Sequence, residues 1–527
     1  MEATNKINNE QSTAQRVKRS MFSMLIGRPI SALGGLLVLV LLSRLLTKDE
    51  YGAYFALWAL VEISILLSDP GVLHLIYRFV SASSNDQGQI MPKGPAPRLL
   101  ISRILGLGLG AGILFLIPAH WLEFFKLASA PHLLQAAAII LLFEGLARTI
   151  EAIFDSMLCQ GASQITTVSR TIMRLLGIFV CYANTGGLTF DLLIWVDIAA
   201  TSVGVLLGLC LLLNIYFKRH RYQGQFDQPT PAPIKTLLYY AWPAYLSQTL
   251  GIVCSADVLK LTLSGSSGVT ELAVFGYVFS LAGVIQRYLP ANLLAGVFRP
   301  LFIAAAQKPN ADRVLVELLI ACIKINWLFI VPMVCFSFIL GDELLAYISG
   351  GKYVHVGSVL TVAIVGLMAF SVHLVLSHLC LARQTPWPLL GANLVATVGI
   401  FVGLALSKWL GALGTALAFC LNETIWCAAS FYFLFRRAPF LPHADLNGVV
   451  RLAGVGIVVA ACAYVLKTAL LVHPLIVAAI LAFPLAIGLC RLGVLSEQEG
   501  QWLMTVLPLG HKLPLIFKFR QQFSSAR

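Results

Sequence analysis

The sequence predicts an all-α, polytopic integral membrane protein, and three observations lead to that fold class. Hydrophobic residues make up 58% of the 527 residues and charged residues only 12%, against roughly 25% charged in soluble domains. The mean hydropathy of +0.84 is too high for a soluble fold, which could not hide so much apolar side chain from water. At ~22 residues per span, the apolar residues suffice for about 14 transmembrane helices.

Apolar runs separated by polar, proline-rich or glycine-rich breaks define these helices in order. Breaks such as 69–71, 92–95 and 229–233 carry the residues that favour turns. The predicted spans are 20–46, 51–77, 98–118, 132–158, 165–184, 190–217, 236–262, 271–297, 313–340, 355–382, 386–408, 411–435, 447–470 and 473–492.

The distribution of lysine and arginine predicts that both termini lie in the cytoplasm. With the N-terminus inside, 24 of the 37 basic residues fall in or beside inner segments, seven fall in outer loops and six lie within spans. Positively charged loops stay in the cytoplasm, so this split favours an even number of spans. The net charge of +13 is explained by this topology, and no nucleic-acid partner is expected.

Two halves of the chain repeat one another. Glu50-Tyr51-Gly52-Ala53-Tyr54 opens span 2 and Ala273-Val274-Phe275-Gly276-Tyr277 opens span 8, about 224 residues later. An offset of six helices predicts two parallel, pseudo-symmetric lobes. The predicted regions are a cytoplasmic N-tail 1–19, an N-lobe 20–217, a cytoplasmic linker 218–235, a C-lobe 236–435, two extra spans within 436–492, and a tail 493–527 that is either interfacial or disordered.

The sequence lacks the short motifs that are typical of nucleotide hydrolysis, of metal-dependent catalysis and of paired cysteines. There is no P-loop, no HExxH and no CxxC pair, and the eleven cysteines lie in apolar segments, so neither disulfides nor a metal site is indicated. His373 and His378 are five residues apart and are expected to be packing or cavity groups. The polar N-tail argues against a cleaved signal peptide. We expect a transporter without a cofactor and not an enzyme.

Residues 41–54 read Leu-Leu-Ser-Arg-Leu-Leu-Thr-Lys-Asp-Glu-Tyr-Gly-Ala-Tyr. This segment resembles the Wzx-type polysaccharide transporters, the lipid-linked oligosaccharide flippases of the multidrug/oligosaccharidyl-lipid/polysaccharide exporter superfamily. The turn at Gln160-Gly161 and the two-lobe layout resemble the same group. The resemblance implies a V-shaped pair of lobes around a cavity that opens to each side alternately. It also implies an undecaprenyl-diphosphate-linked repeat unit as cargo, for O-antigen, capsule or exopolysaccharide assembly, in the bacterial inner (plasma) membrane.

Charged residues within the bilayer are costly and need a partner, a cavity or a function. Span 4 carries Glu144, Arg148, Glu151 and Asp155 on one helical face, and span 5 carries Arg170 and Arg174. Asp155 is expected opposite Arg170 and Glu151 opposite Arg174. Two interpretations stay open. One is a self-neutralised seam between spans 4 and 5; the other is a cavity wall whose guanidinium groups exchange partners with a pyrophosphate.

Other intramembrane charges complete the candidate site. Arg28 is expected to pair with Asp69, Asp257 with Lys260, and Glu62 with an arginine elsewhere unless it serves in coupling. The predicted substrate-contacting residues are Arg28, Arg148, Arg170, Arg174, Arg287 and Lys324. The predicted coupling carboxylates are Glu62 and Glu423. For Lys324, an ion pair with Glu423 or Glu62 is the structural alternative.

The leading hypothesis is a flippase for an anionic lipid-linked glycan, moved from the inner to the outer leaflet by alternating access. Its expected partners are the substrate, membrane lipids, a coupling cation (H⁺ or Na⁺) and a glycan polymerase. A multidrug-type cation-coupled antiporter is the first alternative, although an acid-rich cavity would suit it better than six basic residues. A membrane glycan polymerase or ligase is the second, and the short outer loops argue against it.

Overall fold

The all-α class is confirmed by a computed structural model of the protein. It describes residues 27–77, 96–118, 120–125, 132–157, 159–220, 234–293, 302, 305–306, 311–383, 385, 387–436, 447–468 and 473–491, and among these residues there is no strand. The predicted N-tail, the tail 493–527 and residues 221–233 of the predicted linker lie outside the described residues.

The chain divides into two compact units, Met1–Tyr277 and Val278–Arg527. The helices of the first unit are α1 (Gly27–Leu45), α2 (Lys48–Leu67), α3 (Val72–Leu75), α4 (Ala96–Leu116), α5 (Trp121–Phe124), α6 (Leu133–Ser156), α7 (Gln160–Thr185), α8 (Phe190–His220), α9 (Ile234–Val253), α10 (Ala256–Ser267) and the start of α11 (Val269–Tyr288). The second unit contains the end of α11 and α12 (Pro290–Leu293), α13 (Ala311–Ser349), α14 (Gly357–Ala382), α15 (Trp387–Ala396), α16 (Gly399–Phe435), α17 (Asn447–Thr468) and α18 (Pro474–Arg491).

Within the described residues, twelve helices are long and apolar enough to cross a membrane. One of them, Trp387–Leu434, has 48 residues and contains both α15 and nearly all of α16. As one straight helix it would extend about 72 Å, more than twice the hydrocarbon thickness. The helix turns at Gly411, where φ is 57° and ψ is −131°, between the predicted spans 386–408 and 411–435. The chain is therefore a multi-pass membrane protein, whereas the count of fourteen spans and the orientation stay predictions.

Helix α2 begins at a capping box. The Thr47 hydroxyl accepts a hydrogen bond from the Glu50 amide at 3.2 Å, and the Glu50 carboxylate accepts one from the Thr47 amide at 3.0 Å. Two amide groups that have no partner within the helix are satisfied in this way. The acidic turn before Tyr51 thus sets the point at which α2 starts.

Two glycines allow α2 and α11 to approach closely. A Cβ at Gly52 would lie 2.1 Å from the carbonyl oxygen of Val269, and one at Gly276 would lie 2.2 Å from the Phe55 ring. Any larger side chain would force the helices apart. These glycines occupy matching positions in the two repeated segments, so each half of the repeat supplies one close contact to the other helix.

The core of the second unit lies where α13 meets α17 and α18. Val331, Cys335 and Ile339 of α13 are buried against apolar residues of those two helices. A Cβ at Gly456 would lie 2.9 Å from Val331. Helices α17 and α18, which correspond to the two spans outside the predicted repeat, are therefore packed parts of this unit.

Candidate functional site

Helix α7 presents an apolar face and a polar face. Ile172, Leu176 and Phe179 are 48%, 51% and 68% exposed, as expected for side chains that face lipid. The opposite face carries Arg170 and Arg174 together with several hydroxyl residues. This helical periodicity directs both arginines away from the hydrocarbon and toward neighbouring helices.

Small residues on those neighbours make room for the polar face of α7. A Cβ at Gly204 of α8 would lie 2.3 Å from the Arg170 side chain, and one at Gly34 of α1 would lie 2.4 Å from Thr171. The aliphatic part of Arg170 therefore lies directly on the α8 backbone. The guanidinium group of Arg170 extends from there to α6.

Arg170 bridges two carboxylates of α6. Its guanidinium nitrogens donate to Glu144 at 2.7 Å and to Glu151 at 2.6 Å. Glu151 also accepts a hydrogen bond of 2.9 Å from Thr167. Since the two acids are seven residues apart, they lie on one face of α6 and are spanned by one planar group.

Arg148 binds Glu62 of α2 through two parallel hydrogen bonds of 2.7 and 2.5 Å. Its Nε donates to Glu144 at 2.9 Å, so Glu144 is shared between Arg148 and Arg170. The expected alternative that Glu62 pairs with an arginine elsewhere in the chain is confirmed. The side chains of Arg148 and Glu62 remain 33% and 26% exposed.

Arg174 forms an ion pair with Asp197 of α8, with 2.6 Å between Nε and Oδ1. Tyr54 and Trp58 of α2 each donate a hydrogen bond of 3.1 Å to the other oxygen of Asp197. The Arg174 guanidinium also lies 5.3 Å from the centroid of the Trp58 ring, a cation–π distance. Asp197 thus joins α2, α7 and α8.

We call these seven residues the arginine network: Arg148, Arg170, Arg174, Glu62, Glu144, Glu151 and Asp197. Hydrogen bonds and ion pairs connect four helices of the first unit through it. With all groups ionised, it holds four negative and three positive charges.

Two expected pairs in this region are wrong. Arg170 binds Glu144 and Glu151, not Asp155, and Arg174 binds Asp197, not Glu151. The expectation treated spans 4 and 5 as an isolated hairpin, whereas α8 supplies an acid of its own. Asp197 was missed, although an aspartate in the middle of a hydrophobic span is a signal that the sequence contains.

The expected Arg28–Asp69 pair is also wrong. Asp69 is fully buried beside Arg103, with 3.7 Å between the charged atoms, and its carboxylate accepts from the Val72 amide at 2.7 Å. Arg103 in turn donates to the Ser68 carbonyl at 2.7 Å. The Asp69 carboxylate is thus occupied by Arg103 and by the first amides of α3.

The second unit holds a separate polar cluster. His373 Nδ1 lies 2.8 Å from Glu423 Oε2, so Glu423 has a histidine partner. The His373 ring stacks on Trp426 with centroids 3.5 Å apart, and the Trp426 indole donates to Asn393 at 2.7 Å. This cluster joins α14, α15 and α16.

The remaining predicted residues are Lys324, Arg287 and the pair Asp257–Lys260. Lys324 of α13 is buried at 1% exposure, close in sequence to Asn326, whose oxygen accepts from the Ala291 amide at 3.0 Å. Arg287 is exposed in the last turn of α11. Lys260 and Asp257 form the expected local ion pair at 2.7 Å. Substrate contact by Arg287 and Lys324 stays a prediction.

The comparisons with known proteins agree with this architecture. The family described as polysaccharide biosynthesis protein matches residues 17–304. Among solved structures, the fold is similar to a lipid II flippase MurJ in its inward closed conformation, with a TM-score of 0.57 and 14% identity over 89% of this chain and 99% of that one. A comparison with curated proteins finds no match.

Transporters of a second kind share the fold. An inward-facing multidrug resistance MATE family transporter of the MOP superfamily gives a TM-score of 0.55 at 13% identity, over 77% of this chain and 94% of that one. An outward-facing MATE family transporter gives a TM-score of 0.52 at 16% identity, over 81% of this chain and 96% of that one. Such low identities establish the fold and leave the cargo open. The family match covers more than half of the sequence, so this chain belongs to the polysaccharide biosynthesis protein family and has the fold of the multidrug/oligosaccharidyl-lipid/polysaccharide exporter superfamily.

Proposed function

We propose that the protein is a flippase that moves an undecaprenyl-diphosphate-linked oligosaccharide repeat unit from the inner to the outer leaflet of the bacterial inner membrane. Transport proceeds by alternating access between the two lobes 20–217 and 236–435, and serves O-antigen, capsule or exopolysaccharide assembly. The family match and the fold shared with the lipid II flippase support this class of cargo. A glycan polymerase that consumes the flipped unit is the expected partner.

The observation that carries the proposal is the exposure of the arginine network. Arg148, Glu62 and Arg174 keep between a quarter and a third of their side-chain surface exposed, although they belong to membrane-spanning helices. Ionised groups are too costly to expose to hydrocarbon, so this surface faces a water-accessible route. A polar route through the first unit is what a charged lipid headgroup requires.

The network also has chemistry suited to a pyrophosphate. Guanidinium groups bind phosphate oxygens with two parallel hydrogen bonds, in the geometry with which Arg148 binds Glu62. An incoming diphosphate takes the place of the carboxylate, and Glu62 regains Arg148 when the cargo leaves. The carboxylates thus hold the arginines in position and keep them from being stranded between transport cycles.

A multidrug-type antiporter is the second candidate, and one observation favours it. The arginine network has one more acid than base, and a net negative cavity attracts organic cations. The MATE transporters also share the fold. A polymerase or ligase activity has no comparable support.

Purified protein in liposomes separates the two candidates. The probe is a fluorescent polyprenyl-diphosphate disaccharide, and its movement is followed by a membrane-impermeant quencher added outside. We expect the diphosphate lipid to cross at least tenfold faster than in protein-free liposomes, while a fluorescent phosphatidylcholine does not. Failure to move the diphosphate lipid, together with uptake of a cationic dye, would favour the antiporter.

A further inference from the structure

The second unit contains an acid–histidine pair in the interior of its helices. His373 of α14 and Glu423 of α16 are 2.8 Å apart. Glu423 is about 12 residues, or ~18 Å, from each end of the segment 411–435. The pair therefore lies near the middle of a predicted span, far from both membrane surfaces.

The atoms in contact decide where a proton can be added. With Glu423 ionised and His373 neutral, the Nδ1 of His373 carries the hydrogen that points to Glu423, because a carboxylate only accepts hydrogen bonds. The remaining ring nitrogen, Nε2, then takes up the next proton and gives an imidazolium. Uptake of this one proton changes the charge of the pair from −1 to 0, and release restores −1. Imidazole is the side chain that proteins commonly use as a proton shuttle.

The ring is fixed and still within reach of water. It stacks on Trp426 at an interplanar angle of 18°, and Asn393 holds the indole through a 2.7 Å hydrogen bond. The His373 side chain is 28% exposed and Glu423 11%. Since a carboxylate at this depth cannot face lipid cheaply, the exposed part of the pair faces a polar route for protons.

Other titratable side chains on α14, on α16 and on the helices that pack against them are less suited to bind a proton together with Glu423. The neighbouring elements carry His378 on α14, the thiols of Cys420 and Cys427 on α16, buried Lys324 on α13 and Arg287 on α11; α12 and α15 offer only the amides of Asn292 and Asn393. Thiols are neutral near pH 7. His373, bonded directly to a carboxylate, is the group of this set suited to exchange a proton with it.

We propose that His373 and Glu423 form a proton-binding site, and that H⁺ is the ion that drives transport. The second part rests on the proposed flippase function. Glu423 holds the imidazole, His373 takes and releases the proton, and the change of charge alters how α14 and α16 are held together. A pyrophosphate cargo and a proton then use different units of the protein.

Proton binding is tested without any substrate, through the fluorescence of Trp426. An imidazolium stacked on an indole quenches its emission, so emission of the purified full-length protein is recorded from pH 5 to 8.5. The Trp426→Phe variant supplies the signal of the remaining tryptophans. We expect a pH-dependent difference between these two proteins that disappears in His373→Gln and is kept in His378→Gln, the matched histidine on the same helix. Glu423→Gln should change the titration, and thermal unfolding checks that each variant is folded.

Coupling is tested with the fluorescent polyprenyl-diphosphate disaccharide in liposomes that carry a pH difference of about one unit. The gradient should accelerate translocation by wild-type protein at least threefold, and should not accelerate it in His373→Gln. Equal acceleration in both proteins, or an unchanged fluorescence titration in folded His373→Gln, would overturn the proposal. If wild-type protein moves no probe, the flippase function fails, and the fluorescence titration alone decides whether the proton site exists.

Discussion

Arg174 of α7 and Asp197 of α8 are paired at 2.6 Å deep inside the first unit. Asp197 is 1% exposed in its side chain and also receives hydrogen bonds from Tyr54 and Trp58 of α2. The Asp197 carboxylate therefore connects α2, whose first turns contain Tyr51-Gly52-Ala53-Tyr54, to α7, which carries Arg170 and Arg174. The segment that resembles the flippase family is thus connected to the arginine network through Tyr54.

Asp197→Asn should be destabilising, because it removes the buried carboxylate that pairs with Arg174 and accepts hydrogen bonds from Tyr54 and Trp58. Loss of one partner of a buried pair costs about 3–5 kcal/mol. Asp191→Asn is the matched control on the same helix, because Asp191 is exposed in the first turn of α8. Thermal unfolding of both purified variants should show a clearly larger decrease for Asp197→Asn. Equal decreases would mean that the Asp197 contacts do not hold the helices together.

Gly52→Ala and Gly276→Ala should each lower the amount of folded protein in the membrane. A methyl group at either position would lie about 2 Å from a neighbouring helix, so α2 and α11 would have to separate. Gly35→Ala is the control, because nothing lies within 4 Å of its Cβ position and alanine favours a helix by about 1 kcal/mol. Size-exclusion profiles of a fluorescent fusion measure the effect. Normal profiles for both glycine variants would show that the close approach is not needed.

The sequence predicted the all-α membrane class correctly because long hydrophobic runs decide it, and it predicted the local ion pair Asp257–Lys260 because its partners are one turn apart. The charged partners across helices were harder to predict. Arg170 missed its predicted partner because its long side chain reaches two acids further along α6. The predicted partner of Arg174 was wrong because its observed partner, Asp197, belongs to a third helix. Pairing between non-adjacent spans depends on how helices pack, and one sequence does not specify that.

The predicted orientation places both termini inside, and reporter fusions test it. A reporter active only in the cytoplasm should be active when fused after Arg437 or Arg527. A reporter active only outside should be active near Lys126 or Lys352. The reason is that the basic residues are concentrated in the inner segments. Reversed signals at any two of these sites would exclude the fourteen-span topology.

Lys324 is expected to act in transport and not in folding. It is buried about eleven residues, or ~16 Å, into the predicted span 313–340, too deep for its side chain to reach an interface. Lys324→Ala should keep normal membrane abundance and abolish surface glycan, whereas Lys324→Arg should retain part of the activity because the charge is kept. Arg313→Ala, at an exposed ion pair with Glu317, is the control. Wild-type glycan output from well-expressed Lys324→Ala would contradict this role.

The most direct test of the account concerns Arg148 and Glu62, which bind each other through two hydrogen bonds at an exposed part of the arginine network. The double variant Glu62→Gln/Arg148→Gln removes both charges, with a side chain of similar shape at position 62 and a shorter polar one at position 148, so it should be more stable than either single variant. Translocation of the polyprenyl-diphosphate disaccharide is measured per folded protein in liposomes. If Arg148 binds the diphosphate, the double variant should fold and yet translocate at least tenfold more slowly than wild type. Wild-type translocation by the folded double variant would contradict the account, and would leave the network a purely structural seam.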